Sequence, residues 1–248
     1  MPQLTPLQWL LAVLAAFGMG ISKGGLIGVG LFHVVIFAFL FGARDSTGIV
    51  LPMLLVGDVC AVTWFRQHAR WDYIRRMLPA GCLGIVAGSL LMRRLSDSQF
   101  KPLIGWIILT LAILQFARMQ QPDWFGDVPH SRWFAWTMGL SAGVLSMLAN
   151  AAGPIFALYA LAVSLPKFEM VGTTAWLFLI LNAIKVPFSF SLGLIHEQTL
   201  QLNLALAPIV LVGVFSGRWL TQRLPQRAFD ALLLAFAAVA ALRLIGVF

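Results

Sequence analysis

Charge is what this 248-residue chain has least of: Asp, Glu, Lys and Arg make up 10% of it, and nine acidic residues face seventeen basic ones. With 60% hydrophobic residues, it carries far too much apolar surface for a soluble domain of its length. The expected fold class is an all-α polytopic membrane protein. Two cysteines, Cys60 and Cys82, lie in apolar segments without metal-ligand spacing, which gives no support to a disulfide framework or a zinc site. They are expected to be small packing residues. No nucleotide-binding loop, HExxH, Gly-x-Ser-x-Gly or carboxylate cluster occurs, so ATP-driven transport would need a separate subunit, and no cofactor or metal is expected. Residues 1–6 lack a basic n-region and no cleavage site follows, so no signal peptide is expected. The net charge of +8 would suggest nucleic acid in a soluble chain. Here the cations mostly flank apolar segments, as in cytoplasmic loops, so the expected partners are the lipid bilayer and a small anion, not nucleic acid.

What the chain does have is long apolar runs interrupted by glycine. Residues 7–41 would span about 52 Å as one straight helix against a hydrocarbon core of roughly 30 Å, so the run must bend, break or fold back. Gly18, Gly20, Gly24, Gly25, Gly28 and Gly30 place the interruption around Lys23. Irregular backbone at bilayer depth is tolerated only where protein or a watery cavity covers it. Further spans are expected at 46–65, 77–92 and 102–116. Residues 117–132 form the long polar connection. A second set follows: a run at 133–163 broken at Asn150, Gly153 and Pro154, then spans at 172–195, 202–220 and 228–247. The organisation expected is a first membrane repeat over 1–116, a linker over 117–132 and a second repeat over 133–248, each a broken or hairpin segment plus three transmembrane helices.

Duplication is visible residue by residue. An offset of 129 matches Pro79 to Pro208, Gly84 to Gly213, Gly88 to Gly217, Arg94 to Arg223, Leu95 to Leu224, Phe100 to Phe229 and Leu103 to Leu232. An offset of 128 puts Gly25 on Gly153 and Lys23 on Ala151. Basic residues bear on the relative orientation of the halves. Three of the seventeen, Lys23, Lys185 and Arg218, fall inside spans. The other fourteen divide seven to seven if each long run crosses once, and nine to five if the runs are hairpins or double crossings. The uneven split favours inverted repeats, with the linker cytoplasmic and both termini outside.

An ammonium near the bilayer centre costs at least ~2.5 kcal/mol on insertion scales, so Lys23 is expected to face a cavity, a partner or a substrate unless it snorkels to the surface. Neighbouring Gly24 and Gly25 would let helix ends present backbone amides to an anion. Asn182 and Lys185 share one face at i, i+3, and Pro187 frees the Ala183 carbonyl. Asn150 and Gly153 are expected either to line the site or to cap the second break. Thr173 and Thr174 would cap the next span or point into the cavity, and Trp176 is a candidate wall residue. Asp58, the lone deep carboxylate, would pair with a lysine, relay protons or neutralise an empty site. His33 is a packed histidine or a proton relay. The pairs Gly84/Gly88 and Gly213/Gly217 read as close helix packing, within the chain or against a second copy in a homodimer.

The motifs Gly20-x-x-Lys23-Gly24-Gly25, Asn150-Ala-Ala-Gly153-Pro154 and Asn182-x-x-Lys185, with the duplicated Gly-x-x-x-Gly spans, resemble the TauE/SafE family of small bacterial anion transporters over essentially the whole chain. The resemblance implies secondary export of sulfite or an organosulfonate across the bacterial inner membrane. The residues themselves imply an anion site between two halves, worked by alternating access. Import of a similar anion is the alternative, with a non-transporting assembly subunit less favoured. An intramembrane enzyme lacks a nucleophile with a partnered base.

Overall fold

The computed structural model describes residues 4–26, 29–120 and 131–223, with positions 238, 239, 242 and 244–246 near the C-terminus. Residues 27–28 of the glycine stretch, 121–130 of the linker and most of the expected last span, 228–247, lie outside the described residues. Among those described, the elements are helical: α1 Pro6–Lys23, α2 Gly30–Phe41, α3 Asp45–Ile49, α4 Leu51–Phe65, α5 Trp71–Arg94, α6 Asp97–Gln120, α7 Arg132–Ala149, α8 Gly153–Ala162, α9 Lys167–Ser191 and α10 Glu197–Arg223. Among the described residues, six helical stretches are long and apolar enough to cross a membrane, and α3 with α4 counts as one of them.

Helices extend past the apolar spans expected from hydropathy. α5 starts at Trp71 rather than 77, and α9 at Lys167 rather than 172. Hydropathy marks the part that sits in lipid, whereas these helices continue into their polar flanks. At the start of α1, Thr5 accepts from the Gln8 amide at 3.3 Å while Gln8 accepts from the Thr5 amide at 2.9 Å, with Pro6 in the first turn.

Both long apolar runs fold back on themselves. A Cβ at Gly18 would lie 2.9 Å from Phe32, and Ala12, Ala15 and Ala16 share a core cluster with Ile36 and Phe37. α2 therefore returns along α1. In the second run the rings of Phe134 and Tyr159 lie 5.7 Å apart, so α8 returns along α7. At twelve and ten residues, α2 and α8 are roughly 18 and 15 Å long, too short to cross alone.

Glycines make the two closest helix seams. On α1 and α10, a Cβ at Gly20 would stand 2.2 Å from the Val210 carbonyl oxygen, and one at Gly217 would stand 2.5 Å from that of Ile21. On α5 and α7, a Cβ at Gly84 would meet the Leu140 carbonyl at 2.3 Å, and one at Gly143 the Gly81 carbonyl at 2.1 Å. The glycine pairs noted in the sequence thus pack inside the chain, where small residues let backbones touch. Each seam joins the first helix of one half to a late helix of the other.

Helix directions follow from the contacts. α1 and α10 run the same way, because Phe17 faces Gly213 and Ile21 faces Gly217. α4 runs with α10, since Gly57 faces Val210 and the Trp64 ring packs against that of Phe215. α4 and α9 run oppositely, because Asp58 meets Asn182 while Gly172 meets Phe65. α5 runs with α9, through Trp71 on Trp176 and Gly81 on Leu181, and with α7. Hence α1 and α7, which open the two halves, point in opposite directions.

The seams also correct the register at the breaks. Gly213 meets Phe17 O where its counterpart Gly84 meets Leu140 O, and Gly217 meets Ile21 O where Gly88 meets Val144 O. Both comparisons give an offset of 123, which makes Ser146, not Ala151, the counterpart of Lys23. α7 runs three residues beyond that point before breaking at Asn150, so the offset drifts through the loop.

The 2.1 Å approach predicts that Gly143→Ala costs about 1–3 kcal/mol of overpacking, read as a lower unfolding midpoint of purified protein in detergent. Leu204→Ala, at a side chain 76% exposed, should change stability by no more than about 0.5 kcal/mol. Equal midpoints for the two variants would mean that the seam is not close-packed.

Candidate functional site

A small cavity of about 50 Å³ lies where the two breaks meet, walled by Lys23, His33, Asn150, Asn182, Ser146 and Phe178 among others. At roughly 10–15 Å³ per water by this measure, it has room for about three to five waters or an anion of a few heavy atoms. Helix ends converge on it from both halves. Gly30, which opens α2, and Gly153 and Pro154, which open α8, all line it. Two N-terminal ends, with their partial positive charge and outward-facing amides, therefore point toward one space.

α1 arrives with the opposite end. Lys23 is its last residue, where a cation complements the partial negative charge of a helix C-terminus. The amides of Gly24, Gly25 and Leu26 bond back to the carbonyls of Gly20, Ser22 and Ile21, which corrects the expectation that Gly24 and Gly25 offer amides to an anion. Their lack of side chains serves the seam and the turn instead. A Cβ at Gly24 would collide with Gly217, and Gly25 takes a φ of 119°.

Lys23 Nζ bonds Asp58 Oδ1 at 2.5 Å and lies 5.1 Å from the centre of the Phe178 ring. Asp58 is fully buried behind the wall, and its other oxygen accepts from Asn182 Nδ2 at 2.6 Å. Asp58 and Asn182 are equivalents as well as partners. At the same offset of 124, Gly48 packs on Leu194 in the α9–α10 turn, and Gly172 packs on Phe65 and Ala69 in the α4–α5 turn.

Lys185 is also fully buried and does not line the cavity. Its ammonium donates to Ser146 O at 2.9 Å, to Ser146 Oγ at 3.4 Å and to Asn150 Oδ1. Its charge thus reaches the cavity through two wall residues. Asn150 adopts the left-handed backbone conformation, φ 53° and ψ 28°, one of the few non-glycine residues to do so readily. Its Nδ2 donates to Thr47 O at 2.9 Å. Asn150 therefore both ends α7 and lines the site.

Two expected wall residues lie elsewhere. Thr173, with no exposed surface, accepts from the Arg70 amide at 3.0 Å and fastens the α4–α5 turn to α9, beside an Arg70–Glu169 ion pair of 3.0 Å. Trp176 packs on Trp71 with centroids 5.2 Å apart. Both point away from the cavity, whereas their neighbour Thr174 lines it. The signal for the missed residues is helical: Thr174, Phe178 and Asn182 recur every fourth position and share a face of α9. Ser22 and Ser146 are wall residues too.

A model of the sulfite exporter TauE/SafE family matches residues 12–244. The chain belongs to the TauE/SafE family. This membership and the six long apolar helices make it a multi-pass membrane protein of a transporter family. No match was found among curated proteins or among solved structures. The family match spans both breaks and the spans between them, so all the residues around the cavity fall within it.

Removing one partner of a buried ion pair strands the other, at about 3–5 kcal/mol. Lys23→Met should therefore destabilise the protein severely by leaving Asp58 without its cation, and Lys23→Met combined with Asp58→Asn should recover most of the loss. Thermal unfolding in detergent checks this, and a double variant no more stable than the single one would contradict it.

Proposed function

We propose that this TauE/SafE protein is a secondary transporter that exports a small sulfur-containing anion, sulfite or an organosulfonate, across the bacterial inner membrane. The observation that carries the reading is the convergence of two fold-back helix N-termini, one from each half, on a cavity walled by Lys23 and backed by Lys185. Such helix ends bind oxyanions through amides and dipole together, and paired interruptions in two halves are where secondary transporters place their substrates. The cavity volume favours an anion near the size of sulfite. Asn182 and Asn150 would orient its oxygens, with Ser22 and Ser146 as further hydroxyl contacts. Transport rather than enzymatic chemistry suits these side chains, since among the described residues His33 bonds neither serine.

The halves are read as inverted repeats, supported by the opposed directions of α1 and α7. Arg75, Arg76 and Arg132 share one surface cleft, and Arg70 pairs with Glu169 near Lys167. This basic end is the cytoplasmic one by the positive-inside rule, which also puts the linker there. Export is the direction given by the family's description.

In proteoliposomes, Lys185→Ala and Asn182→Ala should each lower sulfite flux at least tenfold. Sulfite should also raise the unfolding midpoint of the wild type and not of Lys185→Ala. Wild-type flux and stabilisation in Lys185→Ala would show that the anion binds elsewhere.

A further inference from the structure

His33 is buried, 3% exposed, in the first turn of α2, and neither ring nitrogen has a hydrogen-bond partner among the described residues. Its ring stands on the wall of the central cavity and also on that of a second, smaller one bounded by Ser46, Thr47 and Ile104. His33 and Asn150 are the polar side chains common to both. Buried polar groups in native proteins are nearly always bonded, and an unbonded one calls for an explanation. An imidazole binds one proton and then donates from both nitrogens.

The charges around it define what that proton would do. Of the elements packed against α2, α1 brings Lys23, which Asp58 holds from α4. α3 brings Ser46 and Thr47, neither titratable, with Asp45 exposed at its first position and Arg44 before it paired with Asp97. α6 brings Ile104, and its Asp97 and Lys101 are exposed. The α7 end brings Ser146 and Asn150, with Lys185 behind them. Three oxygens surround the Lys185 nitrogen, which matches the three donors of an ammonium. With Lys23 and Asp58 paired and Lys185 counted as an ammonium, the site would carry one net positive charge. A singly charged anion neutralises it, and a doubly charged one leaves an unmatched buried charge, which is costly.

We propose that His33 is the proton-carrying residue of the anion site, taking up one proton with a doubly charged anion so that the pocket always closes over one net negative charge. The proton comes from water on the loading side and leaves to water on the release side. The imidazolium donates to an anion oxygen in between. An anion with two accessible charge states, such as sulfite, is then carried in either state. This rests on the anion-site reading above.

The test uses the full chain in proteoliposomes with a trapped pH dye. Thiosulfate, a dianion throughout the working range, and methanesulfonate, a monoanion, serve as probes. Outward thiosulfate flux should make the lumen alkaline by one proton per anion, and methanesulfonate flux should move none. A voltage dye should report one net charge per turnover for both. His33→Gln should abolish the proton signal and lower the thiosulfate-to-methanesulfonate rate ratio at least tenfold. Wild-type thiosulfate flux without protons, wild-type transport of methanesulfonate alone, or proton coupling retained in His33→Gln would each overturn the proposal. If His33→Gln fails to fold, the wild-type proton and charge counts decide alone. Should the wild type move neither anion, the anion-site reading falls as well.

Discussion

Asp58 is the group on which the other charges depend. A carboxylate with no exposed surface, deep in an apolar span, is tolerable only if both oxygens are engaged. Lys23 takes one and Asn182 the other. The first bond ties the end of α1 to α4, and the second ties α4 to α9. From there Lys185, one helical turn along from Asn182, reaches back to the second break through Ser146 and Asn150. Asn150 in turn holds the Thr47 carbonyl. One polar chain thus runs from the first interruption to the second. It fixes the wall of the cavity.

The duplication is chemically lopsided. Ser146 occupies the place equivalent to Lys23, and Asn182 that equivalent to Asp58. Where the first half puts a cation on the broken helix and an anion on the following span, the second puts neutral acceptors on the broken helix and the cation on the span. Two copies of either plan would place equal charges across the centre. Had Asp58 faced a second aspartate at position 182, two carboxylates would meet at hydrogen-bond distance, and like charges that close cannot both ionise.

Much of this was legible in the sequence because it lies in residue type and spacing. The apolar runs, the paired breaks, the cations flanking spans and the glycine pairs all announce themselves, and Lys23, Asn150 and Asn182 do line the cavity. What was not legible depends on direction. A glycine-rich break does not say whether a helix starts or stops there, and α1 stops, so its amides are spent on its own last turn. Thr173 and Trp176 sit one and two residues from Thr174, which places them on other faces of α9, toward the α4–α5 turn. Lys185 looked like a wall residue because its depth was evident. That its ammonium would be wrapped by Ser146 and Asn150 depends on a helix 35 residues away or more.

The glycine seams bear on how such a chain can be made and how it can move. α1 leaves the ribosome first and α10 nearly last, yet glycines on each let its backbone lie directly against the other. Until α10 is inserted, the bare glycine face of α1 has no partner of its own, and α5 waits in the same way for α7. The seams therefore lace the two halves together. A movement that kept both seams intact would carry α1 with α10 and α5 with α7.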